Sequence, residues 1–328
     1  HNGPKILIAV GSLAVSGGTN IILEYAYGLK LSGAEVSIGY LRGHQSDIDW
    51  HHLAGEFRVK HLQNFKNENF QLGIMTWWKT VEPMLKMRCA KYIYFVQSLE
   101  TRFALNSMDS DEEIRAASTY LLGIPIITVA IWLQNVLSAV TSTPCWRVRN
   151  GIDKTIFSHP YKATRNNHPK NSEIRYLIEG TYGIPMKGVE ETLKVCTELE
   201  LSAVTYINPG ESSPIFSNIK TLNKVPISQM QTLYEEHDVL LKMSRVEALA
   251  LPPIEAFHSA CTAIISKVTG SEEYVRHGTN SLAVEVDDFE KLKESILQLE
   301  SDRNLLSRLQ SGAFEPADKW PDIHTTSL

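Results

Sequence analysis

Ser244-Arg245-Val246-Glu247-Ala248-Leu249-Ala250-Leu251-Pro252-Pro253-Ile254-Glu255-Ala256-Phe257 is the stretch on which the reading of this chain turns. Two carboxylates, Glu247 and Glu255, are separated by seven residues that form a small, apolar linker. Proline is tolerated at the first helical position, where its missing N–H costs no intrahelical bond. Pro253 therefore opens a helix, Glu255 falls in its first turn, and Glu247 stays on the loop ahead of it. The apolar runs on either side, Val239 to Met243 and Cys261 to Ser266, read as buried strands. Strand, loop, helix and strand in succession make an α/β unit. The backbone of Ala248 to Leu251, just ahead of a helix start, favours an anion. One carboxylate precedes that anion site and one follows it, which suits a ligand carrying a sugar, a diphosphate and a ribose. A Glu in a first helical turn also complements the helix dipole with no ligand present. Spacing alone leaves both readings open.

The same alternation runs back to the start of the chain. Lys5 to Val10 is an apolar run ending in Gly11 and reads as a buried parallel strand. The glycine loop Gly17-Gly18-Thr19-Asn20 follows, then a helix from about Ile21 to Leu31, closed by Gly33, and a second strand, Val36 to Tyr40. This βαβ unit implies a right-handed crossover and a doubly wound sheet. The glycines are neither a dinucleotide fingerprint nor a P-loop, but they let backbone approach a ligand at a helix start. An ordinary tight loop explains them equally well.

Further strands are expected at Gln71–Thr76, Lys91–Val96, Ile126–Val129 and Trp146–Val148 in the first half. In the second they are expected at Ile174–Ile178, Ala203–Ile207 and Ser281–Val286. Helices are expected at Ile131–Val140, about Lys187–Glu200, Ser228–Glu236, Phe289–Leu299 and Leu305–Leu309. Residues 42–70 are polar, and His44, His51, His52 and His61 read there as surface residues rather than ligands. Trp77-Trp78 suits stacking on a sugar face or filling core, and the area each ring buries favours the core. Asp109-Ser110-Asp111 resembles a metal-holding motif, but a helix start with Ser110 or Asp111 as N-cap is the simpler account.

The 328 residues suffice for two domains. With 43% hydrophobic and 21% charged residues, packed cores are expected. A formal charge of −5 gives no case for nucleic acid as a partner. No apolar run approaches the roughly 20 residues that span a bilayer, and no signal peptide is expected, since Ile6 to Val10 reads as a strand. The four cysteines, Cys89, Cys145, Cys196 and Cys261, lack metal-site spacing and read as buried thiols in a reducing compartment.

The opening stretch resembles the paired-glutamate signature of the retaining glycosyltransferases of family 4. Ser244, Glu247, Leu251, Pro252, Glu255 and Ala256 match, as do Ser266, Gly270, Glu273 and the strand from Asn280 to Val284. Ala248, Ala250 and Thr269 stand where glycine is usual. Gly17-Gly18 is similar to the loop that opens family members. Asn150-Gly151-Ile152-Asp153 resembles the turn that closes their first domain. Phe95-Val96-Gln97 with Glu100 resembles a subgroup building bacterial surface polysaccharides, including rhamnosyltransferases. The likeness is close over 174–286 and loose over 5–153.

What the resemblance implies is a GT-B fold, two Rossmann-like doubly wound α/β domains facing across a cleft. Residues 1–153 would form an acceptor-side domain, 154–172 a linker, 173–315 the nucleotide-sugar donor domain, and 316–328 a terminal helix crossing back. The implied activity is that of a retaining hexosyltransferase, moving a sugar from a nucleotide diphosphate sugar to a hydroxyl of a saccharide or lipid-linked saccharide. Cell-surface polysaccharide synthesis in a bacterial cytoplasm, at the inner membrane face with peripheral membrane association, is the implied setting. Glu247 would contact the donor sugar and Glu255 the ribose. Lys187 and the amides of Leu249, Ala250 and Leu251 would neutralise the diphosphate. Gly180 matches the family, but Thr181 replaces an arginine, and Arg245 is the nearby substitute. Val225 would edge the nucleobase. Gly17, Gly18, Gln97 and Glu100 would line the acceptor side. No cofactor and no metal is implied. A non-catalytic sugar-nucleotide-binding module and a nucleotide-sugar epimerase on the same fold are the rival readings.

Overall fold

A computed structural model of the chain describes residues 3–102, 110–157, 173–210 and 213–326. The chain divides into two compact units, His1–Gly151 with Pro321–Leu328, and Ile152–Trp320. Each unit is an open parallel sheet with its own core, so the fold class is α/β, built from two Rossmann-like doubly wound domains.

In the first unit, strands β1 (Lys5–Ser12), β2 (Glu35–Arg42), β3 (Arg58–His61), β4 (Asn69–Met75), β5 (Arg88–Val96), β6 (Ile126–Thr128) and β7 (Cys145–Arg147) form one sheet. Their spatial order is β3-β2-β1-β4-β5-β6-β7. Ile6 to Val10 in β1 are buried on both faces, as the unbroken apolar run requires of a central parallel strand. Helix α1 (Gly17–Leu31) begins earlier than the sequence suggests. Ser16 caps it, accepting from the Thr19 amide at 3.0 Å, so Gly17 and Gly18 lie in the first turn rather than in a loop. The remaining helices are α2 (Trp78–Leu85), α3 (Ser110–Tyr120) and α4 (Ile131–Val140). The short helix Ile323–Thr326 is grouped with this unit. There Gly151 is required, because an added Cβ would meet Ile323 N at 2.4 Å.

The second unit repeats the plan. Strands β8 (Tyr176–Glu179), β9 (Val204–Asn208), β10 (Ile219–Asn223), β11 (Val239–Lys242), β12 (Thr262–Ser266) and β13 (Ser281–Val284) pair in the order β10-β9-β8-β11-β12-β13. Helices α5 (Val189–Glu198), α6 (Ile227–Glu236), α7 (Pro252–His258), α8 (Phe289–Ser301) and α9 (Arg303–Asp318) complete it. Leu193, Leu241, Ile264, Ile296 and Leu309 sit at the centre of the core. In such sheets the connections reverse direction at one point, and ligands bind beyond the carboxyl ends of the strands there. The reversal falls between β1 and β4 in the first unit, and between β8 and β11 in the second.

Several expectations need correction. Strands β3 and β10 lie in stretches too polar to show an apolar run; both are sheet edges, where one flank faces water. Residues 42–70 are not all surface, since His51, Leu53, Leu62 and Phe65 are buried. Helix α9 runs well past Leu309 to Asp318, and the closing helix is only Ile323–Thr326. Helix α3 starts at Ser110, with Asp111, Glu112 and Glu113 in its first turn. Asp109 and most of the expected linker, 158–172, lie outside the described residues.

Candidate active site

The two paired elements at the reversal of the second sheet carry the charged groups. Beyond β8 the chain turns through Gly180, whose φ of +152° favours glycine, and an added Cβ would meet Val189 at 2.8 Å. The Gly180 carbonyl accepts from the Tyr206 hydroxyl at 2.9 Å. Thr181 is half-buried beside it. A single turn, Pro185–Lys187, then presents Lys187 ahead of Gly188, which is left-handed at φ +61°. At Gly188 a Cβ would strike the Met243 carbonyl at 2.0 Å.

Beyond β11, Glu247 lies on the loop, as the sequence predicts. Its Oε1 accepts from Lys187 Nζ at 2.8 Å and from Ser244 Oγ at 2.9 Å. The Thr269 hydroxyl donates to the Glu247 carbonyl at 3.0 Å. Burial pushes the Glu247 carboxyl up, but the ammonium groups of Lys187 and Lys242 outweigh it and hold it below the usual carboxylate range. None of the described residues accepts from the amides of Leu249, Ala250 or Leu251. Helix α7 begins at Pro252, one residue earlier than expected, and is short, so the loop amides rather than a long helix dipole are what this segment offers. Glu255 in its first turn accepts from the Tyr234 hydroxyl at 3.2 Å. Burial, with the nearby Glu179 carboxylate, pushes Glu255 up to about 7.

Three groups that the sequence reading passed over complete this cluster. Lys242, the last residue of β11, is buried, and its Nζ lies 2.5 Å from Glu179 Oε2 and 3.1 Å from the Glu179 carbonyl. Burial pulls the Lys242 pKa down, but Glu179, Glu247 and Glu255 together raise it above the ordinary lysine value. Tyr234 is buried on α6 and reaches Glu255 only through the fold. The available signal was Lys242 itself, the one charge in the otherwise apolar run Val239–Met243.

Arg245 does not stand free to meet a diphosphate. Its guanidinium pairs with Glu191 and Asp287, both at 2.5 Å, and donates to the Pro185 carbonyl. Its amide donates to the Met186 carbonyl at 2.8 Å. The arginine is therefore spent on holding the Lys187 turn against the Glu247 loop. Val225 lies between β10 and α6, half-buried, after Lys224 with φ +51°.

In the first unit Gln97 and Gly18 do come together: Gln97 Nε2 donates to the Gly18 carbonyl at 3.2 Å. Around the position of a Gly17 Cβ nothing lies within 4 Å. Glu100 is not an open acceptor-side carboxylate. It is buried, with Oε2 accepting from Tyr120 at 2.7 Å and Tyr94 at 3.1 Å. Burial pushes it up to about 7. Trp77 and Trp78 are half-buried rather than core. Lys79 lies over both rings at 5.1 and 4.8 Å, and Arg42 over Trp77 at 5.1 Å.

Residues 212–315, which carry Glu247 and Glu255, match the family model Glycosyl transferases group 1. The chain is also similar over almost its whole length to solved structures. Sucrose-phosphate synthase from Thermosynechococcus elongatus superposes with a TM-score of 0.82 at 13% identity, covering 99% of this chain and 96% of that one. The chain has the GT-B fold. Anabaena HepE in complex with UDP-glucose superposes on this GT-B chain with a TM-score of 0.77 at 15% identity, covering 99% and 97%. WaaG, a glycosyltransferase involved in lipopolysaccharide biosynthesis, gives 0.73 at 13% identity, covering 98% and 97%. No curated protein matches the sequence. No helix among the described residues is long and apolar enough to cross a membrane.

Proposed function

We propose that this protein is a retaining glycosyltransferase of family 4, moving a sugar from a nucleoside diphosphate sugar to a hydroxyl of a saccharide or lipid-linked saccharide. The observation that carries the reading is the Lys187–Glu247 pair at the reversal of the second sheet, 2.8 Å across, beside amides with no acceptor of their own. A lysine held by one carboxylate and flanked by donors supplies the positive potential that a departing diphosphate needs. Lys187 and the amides of Leu249–Leu251 neutralise that leaving group. Glu255 accepts the ribose hydroxyls, and Glu247 lies against the donor sugar. The anomeric C–O bond to the diphosphate breaks as the acceptor oxygen bonds to the anomeric carbon. The acceptor's proton passes to the departing phosphate oxygen.

No metal ion is needed on the diphosphate in this scheme, so turnover persists in EDTA and in Asp111→Ala. The HepE complex contains UDP-glucose, which makes UDP-sugars the first donors to test. Synthesis of a surface polysaccharide at the inner face of a bacterial membrane is the setting proposed. One observation favours a non-catalytic sugar-nucleotide-binding module instead: Thr181 stands where an arginine is usual, and Arg245 and Lys242 are engaged with Glu191, Asp287 and Glu179, which leaves Lys187 to carry the diphosphate among the described basic residues of this loop cluster. A thermal-shift screen of nucleoside diphosphate sugars identifies the donor, since a ligand at 100 times its Kd adds about 2.7 kcal/mol. Radiolabelled donor with acceptor extracts then decides between the two. Donor binding with neither transfer nor slow hydrolysis supports the module, and no binding of any such donor overturns both.

A further inference from the structure

We propose that Glu24, His51 and His52 form a binding site for a divalent metal ion of the zinc class, tying helix α1 to the loop of residues 45–56. The site lies in the first unit and shares no residue with the Lys187–Glu247 cluster of the second, so it does not depend on the glycosyltransferase reading.

The geometry points to a common centre. His51 Nε2 and His52 Nε2 each lie 3.6 Å from the same oxygen, Glu24 Oε1. All three ligand atoms lie within 4.8 Å of one another. An imidazole bonded directly to a carboxylate would approach to about 2.7–2.9 Å, so 3.6 Å is too long for that contact. Zinc bonds of about 2.0–2.2 Å in a tetrahedron leave neighbouring ligand atoms about 3.3–3.6 Å apart, which is close to what is found. Asn20 stands one turn before Glu24 on α1 and brings Oδ1 to 3.0 Å from His51 Nε2, in place for a fourth donor. Two imidazoles with a carboxylate suit zinc, cobalt or nickel rather than calcium or magnesium.

The frame is set before any ion arrives. Glu24 is buried on α1, as are Ile21, Ile22, Leu23 and Ala26 of the same helix. The loop is pinned by Trp50 Nε1, which donates to the Leu13 carbonyl at 2.9 Å, and by the His51 amide, which donates to the Ile48 carbonyl at 2.9 Å. The two histidine rings stack at 4.6 Å. His52 is 46% exposed at its side chain and opens the site to solvent. Two contacts must be exchanged. The Leu53 amide donates to His51 Nδ1 at 3.2 Å, which puts the neutral ring's proton on Nε2, from where it is donated to Asn20 Oδ1 at 3.0 Å. A metal bound at Nε2 moves that proton to Nδ1, so both neutral hydrogen bonds give way to a metal–nitrogen bond with no net proton released, Asn20 Oδ1 turns to the ion, and the Leu53 amide must find another acceptor.

The test uses the full chain, stripped with EDTA and dialysed, then titrated with Co²⁺ and separately with Zn²⁺. Expected are visible d–d absorption of low-symmetry Co²⁺ saturating at one equivalent, loss of that signal on adding Zn²⁺, and a rise in Tm with Zn²⁺. His52→Ala, at a half-exposed position, should keep the parent circular dichroism and lose the cobalt signal. Glu24→Gln should weaken Zn²⁺ at least tenfold, and His44→Ala should bind as the parent does. No cobalt absorption together with no Zn²⁺ effect in the parent overturns the proposal. So does parent-like binding in both His52→Ala and Glu24→Gln.

Discussion

Lys242 Nζ lies 2.5 Å from Glu179 Oε2, joining the carboxyl ends of β11 and β8 inside the second unit. The Lys242 side chain is 4% exposed and that of Glu179 17%. Removing one member of such a pair strands the other charge. Lys242→Met should cost about 3–5 kcal/mol of stability. The double change Lys242→Met with Glu179→Gln should recover much of that, because no buried charge is then left alone. Urea unfolding of the parent and both variants measures it. A single variant as stable as the parent would show that the pair is solvated.

The two glutamates of the opening stretch are separable. Glu255 is placed to meet a ribose, which free nucleoside diphosphate also carries. Glu255→Gln should weaken nucleoside diphosphate and donor sugar alike, by about 0.5–3 kcal/mol, the range from a neutral to a charged hydrogen bond, since that carboxyl is pushed up to about 7. Glu247→Gln should leave nucleoside diphosphate binding nearly intact and lower kcat, because its contact matters as charge develops on the sugar. Calorimetry and steady-state rates on both variants check this. Parent-like behaviour in both removes the site from this stretch.

Arg245 and Lys187 should divide binding from positioning. Lys187→Ala should weaken donor binding about tenfold or more, since it removes a charge-assisted contact. Arg245→Lys keeps a charge but cannot hold Glu191, Asp287 and the Pro185 carbonyl together. It should lower kcat with a smaller change in donor Kd, as the Lys187 turn loosens. An Arg245→Lys variant with an unchanged rate would leave Arg245 a surface ion pair.

Glu100 and Glu255 give stability a pH dependence of unusual sign. Both are pushed up to about 7 from an ordinary value of 4.5. Between those limits the unfolded chain has lost both protons while the folded chain retains them. The folded state binds more protons there, so stability falls as pH rises from about 4.5 to about 7 and levels off above. Glu100→Gln should flatten part of that slope, and Glu100→Gln with Glu255→Gln should flatten more. Chemical denaturation at a series of pH values reads it directly. An unchanged slope in the double variant would place its source elsewhere.

The sequence by itself determined the α/β alternation, because a central parallel strand is buried on both faces and must be an unbroken apolar run, as Ile6–Val10 and Val239–Leu241 are. It also marked Glu247 and Glu255, since a proline pair after a small-residue loop fixes where a helix starts. The edge strands β3 and β10 were illegible, because half their surface faces water and their side chains are polar. The partners of the charges were decided by tertiary structure alone. Lys187 meets Glu247 across 60 residues, Lys242 meets Glu179 across 63, and Tyr234 meets Glu255 across 21. His51 reads as a surface residue in a polar loop and becomes buried because Trp50 anchors that loop to Leu13. Burial and charge proximity are properties of packing, and no local spacing along the chain encodes which distant carboxylate a buried lysine or histidine will face.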